Sequence, residues 1–274
     1  VIEPGSPLVD MVGTGGDSSG SFNLSTGAAL LVAATGVRVA KHGTSSVSSR
    51  SGSADVIRAL GLSLPLDENA AGACLAATGF TFFFAPYFHP AFKAIMPVRQ
   101  ALGVRTVFNI LGPLLNPAAP PFHLIGAYQV DVAALLAEAL AGMPIERTYV
   151  VHGDPGWDEA TPVGPFTLFD VRPGKVIRSI RSAEEFGLSR CTAEELKGGD
   201  AAHNAQHLRA VLEGRDHGAH RNAIVLQAAL VLELLDKAQS PREAARMAQD
   251  AIDSGAGTRV LEKISAFGQS LSAP

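Results

Sequence analysis

For its first 150 residues the chain alternates short apolar runs with segments whose apolar positions recur every three or four residues. Residues 8–12, 37–40, 81–85, 123–128 and 148–151 have the length and the β-branched or aromatic content of buried strands. Between them, residues 25–35, 54–60, 70–77 and 132–140 place alanine and leucine at helical spacing. Strand–helix alternation of this kind predicts an α/β fold with a largely parallel central sheet flanked by helices, because parallel neighbours need a crossover and the helices supply it. Residues 166–171 and 176–180, joined at Pro173-Gly174, predict an antiparallel hairpin added to that sheet. From Ala183 onward the pattern is helical, with segments at 201–212, 222–235, 241–253 and 258–267.

Residues 89–120 break the rhythm. "HPAFKAIMPVRQALG" reads as helix on both sides of Pro97, and "FNILGPLLNP" runs through glycine and proline with no clear element. This predicts an inserted, mostly helical piece outside the sheet.

Composition narrows the class. Hydrophobic residues make up 47% and charged residues 18% of 274, enough apolar material for one large domain with a sizeable core. A net charge of -4 with no basic run argues against nucleic acid as a partner and confines any anion binding to a focused site. Cys74 and Cys191 lie in unrelated contexts, forming neither a disulfide framework nor a zinc spacing, which predicts a reducing, cytoplasmic compartment. Two long uncharged stretches are interrupted, 69–88 by Gly72, Gly79 and Pro86, and 106–130 by Asn109, Pro113, Asn116 and Pro117, so neither reads as a membrane span. The chain begins at Val1 without methionine or signal peptide, which predicts a trimmed start.

Three loops carry the chemistry. In α/β proteins, ligands collect at the carboxyl ends of the strands, where helix N-termini and free backbone N–H groups converge. "VGTGGDSSGSFNLSTGAA", Val12 to Ala29, joins the first strand to the first helix. Its glycines let backbone approach a ligand closely, and Ser25 and Thr26 can cap the helix or donate to an oxyanion. It is not a Walker loop, lacking Lys-Ser/Thr after the last glycine, and Ser18 stands at the third glycine position of the dinucleotide fingerprint. The alternative is a structural turn with an N-cap. "KHGTSSVSSRSGSAD", Lys41 to Asp55, repeats the arrangement on the next unit, with a lysine suited to phosphate; its alternative is a solvated serine-rich loop. "VHGDPGWDEATP" sets Asp158 beside Glu159 in a turn, where both carboxylates can reach a hard cation such as Mg²⁺ or simply face solvent. Arg99 can pair a carboxylate or stand exposed on a helix. His42, His89 and His152 have no serine or cysteine partner at triad spacing, so no nucleophile or acid–base residue is assigned.

Together "GTGGD", "FNLST", "VAKHG", "SSRSGSAD", "HPAFKAIMPVRQALGVRTVFNILGPLLNPA" and "HGDPGWDEATPVGP" resemble the anthranilate phosphoribosyltransferase family of the tryptophan pathway, from about Leu8 to about Phe267. The resemblance implies transfer of the 5-phosphoribosyl group from phosphoribosyl diphosphate (PRPP) to the amine of anthranilate, releasing diphosphate with two Mg²⁺ per site, in a homodimer. By position, Gly13, Gly16, Asp17, Ser21, Asn23, Leu24, Ser25, Thr26, Lys41, His42, Gly43, Ser48, Ser49 and Ser53 would bind PRPP. Gly13, His42, Thr44, Arg99, Gly112 and Pro113 would bind anthranilate, and Ser25, Asp158 and Glu159 would hold the metal. Residues 1–88 and 121–274 would form the α/β PRPP-binding domain and 89–120 part of a small helical domain.

Two departures stand out. The family carries asparagine after Lys-His-Gly, where this chain has Thr44, which opens the reading of a different aromatic acceptor. The family also begins with a helical segment of several dozen residues that this chain lacks, leaving the small helical domain incomplete. A non-catalytic ligand-binding relative is a further reading, opposed by the intact Asp158–Glu159 pair. A pyrimidine nucleoside phosphorylase-like enzyme is opposed by "FNLST" and "DEATP".

Overall fold

The computed structural model describes residues 7–17, 19–45, 50–91 and 107–271. Its centre is a seven-stranded sheet of order β3-β2-β1-β4-β5-β6-β7. The strands are β1 (Leu8–Gly13), β2 (Arg38–Gly43), β3 (Phe80–Phe84), β4 (Phe122–Gly126), β5 (Arg147–Gly153), β6 (Phe166–Arg172) and β7 (Lys175–Arg181). The first five in that order run parallel, and β5–β6–β7 are antiparallel. The expected parallel sheet and added hairpin are both present.

The parallel strands β1 to β5 are largely buried on both faces, which is why they read as continuous apolar runs rather than alternating ones, whereas the edge strand β7 is exposed. Along β5, Tyr149 and Val151 enter one core, while Val150 between them enters a second. Helix α4 (Val130–Ala141) covers the smaller core with Leu136 and Leu140, against Ile125 and Phe169. The larger face is covered by α1 (Leu24–Ala34), α2 (Ser53–Ala59), α3 (Glu68–Thr78), α5 (Ala201–Leu212), α6 (Ala219–Leu234), α7 (Pro241–Asp253) and α8 (Ala256–Ser270). Helix α6 is apolar nearly all round and lies in the core, as such a pattern requires. Local signals set the helix ends: Asp67 accepts from Ala70 N at 2.8 Å and Asp200 from His203 N at 2.8 Å, while Gly79 ends α3 at φ 76°.

Arg147 locks the hairpin to the helical layer. Its guanidinium forks onto Asp170 at 2.9 and 2.7 Å and donates to the Leu234 carbonyl at 3.2 Å. Among the described residues no helix is long and apolar enough to cross a membrane, and Cys74 and Cys191 are free thiols.

Most of the stretch expected to be helical around Pro97 lies outside the described residues. Beyond it come one helical turn at Phe108–Leu111, which the sequence left without an element, and a 3-10 turn at Gly112–Leu114. Asn116 then ties the piece to the sheet, donating to Asp10 Oδ2 at 2.8 Å and to the Ala40 carbonyl at 2.7 Å.

Candidate active site

The order of strands reverses between β1 and β4: β2 and β3 extend to one side and β5 to the other. Such a switch point opens a crevice at the carboxyl ends of the strands. Gly13 and Gly126 face each other in register there. The turn bearing Asp158 and Glu159 lies directly across both. A Cβ on Gly13 would sit 2.3 Å from Asp158 Oδ2, and one on Gly126 only 1.6 Å from the Asp158 carbonyl oxygen. Glycine at these positions is what lets the carboxylate turn descend onto the sheet.

There the carboxylates meet the first loop. Gly15 N donates to Asp158 Oδ2 at 2.6 Å, and Ser25 N, in the first turn of α1, donates to Glu159 Oε1 at 2.9 Å. Asp17 accepts from Asp158 N at 3.4 Å. The alternative of a solvated turn is overturned: both side chains are buried, because the turn is pressed between two strand ends and the loop. Burial pushes both carboxyl groups above their ordinary range, assisted at Asp158 by Asp17 and at Glu159 by Asp158 and then Asp17.

Lys41, expected to open the second loop, instead lies within β2, paired with Phe82, and at 2% exposure faces inward. Its ammonium donates to the Met11 carbonyl and to Ser25 Oγ, the latter at 3.3 Å. Burial lowers its pKa while Asp10, Glu159 and Asp158 hold it up. The lysine nitrogen is therefore held beneath the α1 N-terminus, next to the carboxylate pair.

The helix cap differs from expectation. Neither Ser25 nor Thr26 caps α1; Asn23 occupies the N-cap without a side-chain cap bond, and Thr26 and Leu24 are fully buried. The Asn23 amide is engaged elsewhere, donating to the Ser51 carbonyl at 3.3 Å and accepting from Asn204 Nδ2 at 2.7 Å. Asn204 also donates to Ser51 Oγ at 2.9 Å and accepts from Gly199 N at 2.7 Å. This network joins the first loop, the second loop and α5. Ser21, one strand-like bridge away, pairs with Lys197, and Gly16 lies exposed at φ 77° on the loop crest.

On the other side of Lys41, His42 N donates to Asp10 Oδ1 at 3.1 Å. The His42 ring hydrogen-bonds the Gly112 backbone and meets the His89 ring edge-on at 5.1 Å. Burial, with His89 next, lowers the His42 pKa to about 4, so the ring is neutral at pH 7. Gly112 thus lies at His42, and Pro113 next to it in the chain is buried. Thr44 is exposed, and its carbonyl accepts from Ser53 Oγ at 3.4 Å and Ala54 N at 3.3 Å. Ser53 packs so closely on Gly43 that a Cβ there would meet its Oγ at 2.4 Å. Arg99, Ser48 and Ser49 lie outside the described residues.

Asp10, Asn116 and Asn204 were not singled out by the sequence. Asp10 sits inside an apolar strand, and an Asn-Pro pair or a mid-helix asparagine has no local mark of function. The only available signal was a charged residue in an otherwise buried strand. As for a metal, the donor set is all oxygen: two desolvated carboxylates, with the Ser25 hydroxyl beside them. That chemistry fits a hard divalent cation such as Mg²⁺.

Comparison with known proteins agrees. A family model described as "Glycosyl transferase family, a/b domain" matches residues 5–258. An anthranilate phosphoribosyltransferase from Azorhizobium caulinodans is 46% identical over 96% of this chain and 76% of its own length. The crystal structure of one from Thermus thermophilus matches with a TM-score of 0.90 at 42% identity, over 97% of this chain and 79% of that one. The Saccharomyces cerevisiae protein, solved with PRPP and Mg and with 4-fluoroanthranilate, matches with a TM-score of 0.89 at 30% identity, over 97% of this chain and 75% of that one. The chain belongs to this glycosyl transferase family and, within it, to the anthranilate phosphoribosyltransferases.

Proposed function

We propose that this chain transfers the 5-phosphoribosyl group of PRPP to the amine of anthranilate, giving N-(5-phosphoribosyl)anthranilate and diphosphate in tryptophan biosynthesis. The observation that carries the reading is the closure of the Asp158–Glu159 turn onto Gly15 N and Ser25 N at the β1/β4 switch point. It places two buried carboxylates and the amide donors of a glycine-rich loop in one crevice. A diphosphate offers acceptors for the amides and, through a divalent cation, a partner for the carboxylates.

In this reading Gly13, Gly16, Asp17, Ser21, Asn23 to Thr26, Lys41 to Ser49 and Ser53 form the PRPP side. Asp158, Glu159 and Ser25 hold Mg²⁺, two ions per site, which when bound neutralise charge that builds on the leaving diphosphate. The chain's own share is positional and electrostatic. The positive end of α1 favours anionic oxygens, and the Gly15 and Ser25 amides, which donate to Asp158 and Glu159 here, would be exchanged to the diphosphate when the cation takes those carboxylates, while Lys41 holds the Ser25 hydroxyl from below. His42, Thr44, Arg99, Gly112 and Pro113 form the acceptor side, with Arg99 paired to the anthranilate carboxylate. An aniline-type amine is neutral near pH 7, so His42, neutral and a weak base, need only position it. Residues 89–120 belong to the small helical domain in this assignment and the remainder to the α/β domain; the working form is a cytoplasmic homodimer.

The test is turnover. Anthranilate consumption and diphosphate release should require PRPP and Mg²⁺ together. Asp158→Asn/Glu159→Gln should keep its circular dichroism while losing at least about 100-fold in turnover. Undiminished rates in that variant at saturating Mg²⁺ would remove the carboxylates from the site. Diphosphate release with another aromatic amine, and none with anthranilate, would transfer the reading to a different acceptor.

A further inference from the structure

A second cluster of ligand-type side chains lies apart from this crevice, where α5 turns into α6. His207 in α5, Asp216 in the connecting turn and His220 in the first turn of α6 each present one ligand atom, all within 4.8 Å of one another. Their rings are in tilted contact: His207 and His220 centroids are 4.9 Å apart at 58°, and His203, one helical turn before His207, adds a third ring at 4.4 Å and 49°. Three imidazoles in contact repel one another when protonated, so simple packing does not favour the arrangement.

Two details point to a ligand. Asp216 is preset, with Oδ1 accepting from Gly218 N at 2.7 Å and Oδ2 lying 3.3 Å from His220 Nδ1. The other nitrogen of that ring, His220 Nε2, is buried and has no hydrogen-bond partner among the described residues. We propose that His207, Asp216 and His220 bind a divalent transition ion of the zinc type, with a water at the fourth position.

Zinc accepts imidazole nitrogen and carboxylate oxygen at about 2.0–2.2 Å in tetrahedral sites, which sets ligand atoms about 3.3 Å apart. Binding would draw the ligand atoms together from within the observed 4.8 Å limit. The donors select against Mg²⁺, which prefers oxygen, so the two sites take different ions. The ion would brace the turn between α5 and α6 and the ring of Phe22, 4.6 Å from His220 and one residue before the Asn23 cap of α1.

The probe is Co²⁺ added to chelator-stripped full chain, with Zn²⁺ as competitor. One equivalent of Co²⁺ should develop the intense visible absorption of low-coordinate cobalt, Zn²⁺ should abolish it, excess Mg²⁺ should not, and either transition ion should raise Tm. His207→Gln and His220→Gln should each weaken binding at least about 100-fold, and the milder Asp216→Asn by roughly 10- to 100-fold. Asp158→Asn/Glu159→Gln should bind as the parent does, whether or not it turns over PRPP. A cobalt spectrum that stays that of the hydrated ion, binding that survives both histidine replacements, or binding lost with Asp158 and Glu159 would each overturn the proposal and leave an aromatic packing cluster only.

Discussion

Gly126→Ala tests the idea that the carboxylate turn is held by its approach to the sheet. The added methyl would stand 1.6 Å from the Asp158 carbonyl oxygen, against about 3.4 Å for an ordinary contact, so backbone must move by about 1.8 Å. Neither partner is a flexible side-chain tip: Gly126 ends a central strand and Asp158 lies in the turn itself. Overpacking of this size costs about 1–3 kcal/mol, and at about 2–4 °C per kcal/mol for a chain of this size Tm should fall by roughly 2–12 °C. Catalysis should suffer more. Displacing reacting groups by about 1 Å costs about 100-fold, equal to about 2.7 kcal/mol of barrier, so kcat/KM should drop by that factor or more at temperatures where the variant is fully folded. Gly142→Ala is the control, since its new methyl would meet nothing closer than 3.5 Å. The assay is anthranilate turnover with saturating Mg²⁺, alongside thermal unfolding. If Gly126→Ala works within threefold of the parent, the turn does not need this approach and the geometric argument fails.

Three further expectations follow from other contacts. Lys41→Met strips the buried carboxylates of their neighbouring ammonium and should cost about 3 kcal/mol by urea unfolding at pH 8, less at pH 6, below the value of about 7 to which burial raises Asp158; equal stability at both would show that the charge is not needed. Burial lowers the His123 pKa from 6.5 to about 4, so the unfolded chain binds the proton first, and stability present above pH 6.5 is lost as pH falls toward 4. This amounts to about 2 kcal/mol between pH 7 and 5, and His123→Gln should flatten the urea-midpoint slope by that much; an unchanged slope would exclude the residue as its source. Thr44→Asn should lower the anthranilate KM roughly two- to tenfold, the worth of about 0.5–1.5 kcal/mol for one neutral hydrogen bond, with the PRPP KM unmoved; a shift in the PRPP KM instead would place residue 44 at the other substrate.

The elements themselves were legible in the sequence because periodicity and capping are local. The strand runs of β1 to β5, the Pro173-Gly174 hairpin and helices such as α5 and α7 stand close to where spacing alone put them, though β2 runs on through Lys41–Gly43, which the sequence read as loop. The loops were legible as loops, and the family resemblance pointed to their residues. The contacts that turn those residues into a site were not. Gly15 finds Asp158 across 143 residues and Ser25 finds Glu159 across 134, so no local pattern announces either bond. Whether Lys41 faces a ligand or the underside of α1, whether the carboxylate pair is wet or dry, and which amide holds Asn23 depend on strand order and packing. The same holds for His207, Asp216 and His220, which are unremarkable on two helices and a turn until α5 folds back against α6. Sequence determined which segments are strands and helices, since backbone preference and apolar period act over a few residues; burial, partner choice and charge state were decided only when the sheet brought distant segments within hydrogen-bond reach.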